Sequence, residues 1–138
     1  MIPQTKGRML TRLVSVNDQS RQTFLATLIS AAATAHIHHL ITKSFSRHKA
    51  LDSLYSDLPG LVDTVVEECL GEYGPADVYP AITVSVQPQD DPLAFVTNLL
   101  DYVKQTRYEV SDESYIQNSI DAICSLLSRV KYMLRDLK

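Results

Sequence analysis

The chain is poor in cysteine, in positive charge and in long apolar runs, and each shortage removes a class of function. Cys69 and Cys124 are the only cysteines. Both fall on apolar stripes of predicted helices, so buried reduced thiols in a reducing cytoplasm fit better than a secreted disulfide framework. A net charge of −3 leaves no basic footprint for nucleic acid. The local exception is Met1 to Arg12, where Lys6, Arg8 and Arg12 stand with no acid before Asp18. A solvated tail over residues 1–16 is expected there, with DNA contact as the weakly supported alternative. No charged leader with an apolar stretch opens the chain, and no apolar run approaches about 18 residues, so neither export nor membrane spanning is expected. Nucleophile motifs and oxyanion loops are missing too, which leaves Ser-His-Asp catalysis without support.

What is present is the composition of one globular domain: 138 residues, 45% of them apolar and 21% charged. Four segments repeat apolar residues with a helical period, which predicts an all-α fold. The first runs from about Asp18 to Lys43, with Asn17, Asp18 or Ser20 as its cap. Its inward stripe is Leu25, Leu28, Ile29, Ala32, His36, His39 and Leu40, and His38 is expected to point elsewhere. The second runs from a Ser46 cap to Gly71, with Leu51, Leu54, Leu58, Leu61, Val62, Val65 and Cys69 inward. The short link between the two forces an antiparallel hairpin.

Asp91-Pro92 opens a third helix with Leu93, Val96, Leu99, Leu100 and Val103 inward. Ser111 caps a fourth, whose stripe is Ile116, Ile120, Ile123, Leu127, Val130, Leu134 and Leu137. Between the second and third helices lies EYGPADVYPAITVSVQPQD, residues 72–90. A connection of that length needs a purpose. A four-helix bundle with parallel second and third helices supplies one, because about twenty extended residues reach about 66 Å, ample to return along a bundle about 35 Å tall. A short strand over Thr83 to Val86 is expected to ride on this crossover. Ferritin-like bundles have one such crossover.

All four histidines lie in HIHHLITKSFSRH, residues 36–48. On a helical wheel His48, Asp52, Asp63 and Glu67 share a face of the second helix away from its apolar stripe, with Tyr55, Pro59, Val66 and Leu70 among them. Within one chain the two pairs stand about 22 Å apart, too far for one ion. The spacing is symmetric about Asp57 and Leu58. Two copies paired antiparallel about a two-fold axis there would bring His48 to the partner's Glu67 and Asp52 to the partner's Asp63, making two equivalent sites. The bland alternative is that the histidines are core or interface residues.

The stretch AHIHHLITKSFSRHKALDSLYSDLPGLVDTVVEECLG resembles the Dps family, the ferritin-like miniferritins of bacteria, and SRHKALDSLY with LVDTVVEECLGEYG looks like Dps-like proteins of bacteriophages. His36, His48, Asp52, Asp63 and Glu67 fit that family's ligand register, and His39 stands one turn along as an alternative to His36. The resemblance implies a ferritin-like four-helix bundle that binds iron at intersubunit sites, oxidises Fe(II) with peroxide or oxygen, and stores the mineral in a homo-oligomeric shell, a dodecamer built from two-fold dimers. His36, His48, Asp63 and Glu67 would then serve the oxidation, with His39 and Asp52 completing the metal set. Imidazoles and carboxylates suit Fe(II) with open positions better than a closed structural zinc site. The competing reading is a non-catalytic ferritin-fold structural or interaction protein, encoded by a phage, that keeps the dimer face without redox turnover.

Overall fold

A computed structural model describes residues 16–138. The expected tail, with Lys6, Arg8 and Arg12, lies outside the described residues. Four helices and no strand occur among those described: α1 Val16–Ile41, α2 Phe45–Tyr73, α3 Pro92–Val110 and α4 Ser114–Asp136.

The helices form a ring in which α1 and α4 each pack on both α2 and α3. Contacts between helix ends set their directions. Arg21, near the start of α1, donates to the carbonyl of Val110 at the end of α3 at 2.8 Å, and His38 near the end of α1 stacks on Phe95 near the start of α3 at 5.4 Å. Tyr115 at the start of α4 donates to Glu72 at the end of α2 at 2.7 Å. Thus α1 runs against both α2 and α3, those two point the same way, and residues 74–91 travel back along the bundle.

Why these segments become these helices is visible at their ends. Ser44 caps α2, its hydroxyl accepting from the Arg47 amide, so α2 starts slightly earlier than the expected Ser46 cap. The far end also extends past Gly71, to a cap at Gly74 with φ 88°, a conformation glycine adopts without strain. Asp91 caps α3 as expected, with Pro92 in the first turn. Ser111, the expected cap of α4, instead follows the end of α3; its hydroxyl accepts from the Glu113 amide at 3.0 Å, and Glu113 is the residue preceding α4. The α3–α4 corner is fastened by Arg107, which donates to Gln117 Oε1 at 2.7 Å and to Asp121 at 2.6 Å.

The core follows the expected stripes of α2, α3 and α4 closely: Leu51, Leu54, Leu58, Val96, Ile116, Ile120, Ile123 and Leu127 are buried, while Leu61 and Leu93 are only partly covered and Leu137 is exposed. In α1 the expected stripe is rotated. Phe24, Leu25, Leu28, Ala31, Ala35, His38 and His39 face inward, whereas Ile29, His36 and Leu40 face out. The cause is that α1 is apolar on both faces. No Asp, Glu, Lys or Arg stands between Arg21 and Lys43, so the wheel offers two apolar stripes and volume decides between them. Phe24 and the small Ala31 and Ala35 fit the crowded centre. Contrary to the expectation from uninterrupted runs, Asp18–Ile41 is long and apolar enough to cross a membrane by length and composition, because isolated Ser and Thr break the run without making the helix polar.

The expected strand does not form. Ile82, Val84 and Val86 are half-buried and alternate with exposed Thr83 and Ser85, as in an extended segment lying on the bundle. No second strand runs beside it, so no ladder closes.

Candidate functional site

Thr42, Lys43 and Ser44 join α1 to α2, and the histidines gather around this corner. Thr42 donates through its amide to the His38 carbonyl at 3.1 Å, continuing the α1 hydrogen-bond ladder by one residue, and its hydroxyl accepts from the Ser44 amide at 3.2 Å. So tight a link lays the last turn of α1 against the first turn of α2.

His39 and His48 meet there and lock the two helices together. His39 Nδ1 donates to the His48 carbonyl at 2.9 Å, and His48 Nδ1 donates to the His39 carbonyl at 3.0 Å. Because a carbonyl only accepts, each Nδ1 carries its proton, which fixes both tautomers and turns each Nε2 away from the lock. The rings stack with centroids 3.7 Å apart. Tyr55, about two turns further along α2, adds its ring: His39 lies 4.8 Å from it, tilted, and the exposed His36 stacks on it at 4.3 Å. Three imidazoles and one phenol therefore line the seam between α1 and α2.

His38 belongs to a different surrounding. It is 4% exposed, packs on Phe95 of α3, and has a pKa below the ordinary imidazole value because burial disfavours its charged form; Asp90 and Asp91 pull the other way. The sequence reading set this residue aside, and the same rotation of α1 that exposes His36 buries it.

The carboxylates of the expected metal set stand apart from the imidazoles. Asp52 is half-buried one turn beyond His48, while Asp63 and Glu67 face solvent on the second half of α2. Among the described residues no three His, Cys, Asp or Glu side chains converge as a metal-binding group. Within a single chain His36, His39 and His48 are engaged in the seam, and Asp52, Asp63 and Glu67 are strung along α2. Both cysteines are free. Cys69 is buried, with its thiol pushed up to about 11 by burial, and the half-buried Cys124 is raised for the same reason.

Charge along α2 is arranged against its own dipole. Residues 45–49 carry Arg47, His48 and Lys49 and no acid, and residues 67–73 carry Glu67, Glu68 and Glu72 and no base. A helix start is the positive end and prefers anions, so each cluster sits at the end that disfavours it.

Comparison with known proteins gives two matches. The family DUF5856, described as a family of unknown function, matches residues 39–134. An "Uncharacterized 14.6 kDa protein in mobD-ri intergenic region" of Enterobacteria phage T4 is 33% identical over 111 residues, which cover 80% of this chain and 84% of that protein. No solved structure matches. These findings overturn the resemblance to the Dps family: the matched family and relative carry no link to miniferritins. The physical reason the register misled is that ligand-type residues one helical turn apart arise on any long helix, and here the imidazoles pack the seam.

Proposed function

Since the chain belongs to the family of unknown function DUF5856, we propose that it is a phage-type, non-catalytic interaction protein that works as a two-fold homodimer through the outer face of α1 and α2. The observation that carries this reading is the second apolar stripe of α1. Ile29, Ala33, His36 and Leu40 share one side of the helix, and Ile29 and Leu40 are 51% and 65% exposed. A monomer gains nothing from such a stripe, whereas covering it in a dimer removes apolar area from water. Tyr55, Pro59, Val66 and Leu70 of α2 continue the face across the seam.

The reversed charges of α2 favour the partner's orientation. When two copies of α2 lie antiparallel about an axis near Asp57 and Leu58, the basic start of each meets the acidic end of the other. Each helix end then gains the opposite charge that its own sequence withholds, at about 0.3–1 kcal/mol per charge. A ferritin-like bundle order belongs to the same proposal; the lengthwise return of residues 74–91 and the ring of helix neighbours support it.

Sedimentation velocity on the full chain tests the dimer. At about 10 μM the expected species is a dimer or a multiple of one, and Leu40→Glu with Ile29→Glu should give a monomer of unchanged helicity. Reversal of one charge, Lys49→Glu, should weaken association, and adding Glu67→Lys should restore it. A monomeric wild-type chain at tens of micromolar, or binding to lipid vesicles with no self-association, would overturn the proposal.

A further inference from the structure

At the corner opposite the crossover's end, the Thr42–Ser44 link and Pro88–Pro92 enclose a cleft of about 420 Å³. Its character is set by four features that have no role in the seam. His38 lines it, is 4% exposed, and makes no ring hydrogen bond to any described residue. Lys43 and Arg47 reach into its wall, and neither forms an ion pair with a described residue. The 29-residue α2 begins here with no acid in its first turn. The Ser44 hydroxyl, which caps the Arg47 amide at 3.3 Å, stands in the same lining.

We propose that this cleft binds the phosphate group of a small phosphomonoester. Two cations with no ion-pair partner among the described residues attract an anion with several oxygens, and the positive end of the α2 dipole adds to their charge. The buried His38 lines the same cleft, and its imidazole adds a group able to hydrogen-bond an anion there. The cleft is several times larger than a phosphate group alone. Ile41, Pro88 and Pro92 give the wall an apolar part beside Thr42 and Ser44, which suits an organic remainder. Asp90 is the one acid on the rim; its carboxylate accepts from the Gln87 amide at 2.8 Å and works against the anion. The site lies at the end of the bundle and shares only Arg47 with the basic start of α2 used in the dimer proposed above, whereas Lys43, His38 and Asp90 lie outside that pairing.

Isothermal titration of the full chain with inorganic phosphate, adenosine 5′-monophosphate and glucose 6-phosphate tests this, with adenosine and glucose as phosphate-free controls. The expected result is binding of at least one monoester more tightly than inorganic phosphate, and none of the controls. Arg47→Gln and Lys43→Gln should each weaken it about tenfold or more, as loss of a hydrogen bond to a charged group does. His38→Gln should weaken it as well, and Asp90→Asn should tighten it. Both cation variants change exposed side chains, so their circular dichroism should match the parent. No binding of any phosphate compound at 10 mM, equal affinity in Arg47→Gln and the parent, or binding only to oligonucleotides would each overturn the proposal.

Discussion

His38 is a group whose protonation the fold opposes, and this gives the molecule a pH dependence of known sign. Its pKa in the folded chain lies below the ordinary 6.5, with burial the largest cause. The unfolded chain therefore takes up the proton first as pH falls. The stability associated with the neutral ring is complete above about 6.5 and is lost progressively below that value, toward the lower folded pKa. Urea midpoints measured between about pH 7.5 and 5.5 should fall with acidity, and His38→Gln should flatten that slope. A parent slope that is zero or rises toward acid would remove the argument. His38 was not legible in the sequence as a buried residue, since Ala, Ile, Leu and Thr surround α1 on every side and no charge marks its outer face. His48 was legible as one turn from Asp52; that its ring would bond a backbone carbonyl across the seam was not, because backbone acceptors leave no trace in side-chain spacing.

At the level of the helix, α2 carries two residues whose conformational demands oppose each other. Pro59 stands inside a helix that continues from Phe45 to Tyr73, where it removes one backbone hydrogen bond and crowds the preceding turn. It is exposed, so nothing in the core compensates. Pro59→Ala should raise unfolding stability by about 1–3 kcal/mol in a urea titration. Gly74 ends the same helix at φ 88°, and an added Cβ would meet nothing within 4 Å. Its replacement by Ala should therefore cost only the backbone strain of φ 88° with ψ −179°, about 1–3 kcal/mol, with the fold kept. Equal and null effects at both positions would mean that the end of α2 is frayed in solution. Helices α3 and α4 were legible almost to the residue, since Asp91-Pro92 and a single apolar stripe leave one solution each. Ser111 was misjudged as a cap of α4 because a Ser before two acids reads as a helix start, whereas here it is 5% exposed beneath Tyr73.

For the whole molecule the proposed pairing of two copies has a definite direction, and the cysteines make it directly measurable. Cys69 is buried and its thiol is held well above neutral pH by burial, while Cys124 is half-buried and raised in the same direction, so both react slowly as thiolates. A new surface cysteine would dominate. Ser56 is exposed on α2 beside the proposed axis, where two antiparallel copies bring the same position together. Ser56→Cys, in a Cys124→Ser background, should form a covalent dimer under mild oxidant within the narrow distance that a disulfide permits. Lys131→Cys on α4 should remain a monomer on a denaturing gel. The four helices were legible in one chain because each buries its own stripe. The proposed pairing has as its sequence signal only the symmetry of residues 48, 52, 63 and 67, and that symmetry fits any antiparallel pairing of α2, whatever it holds. A dimer by sedimentation that fails to cross-link through Ser56→Cys would place the contact on another face, and the apolar side of α1 would then need a different partner.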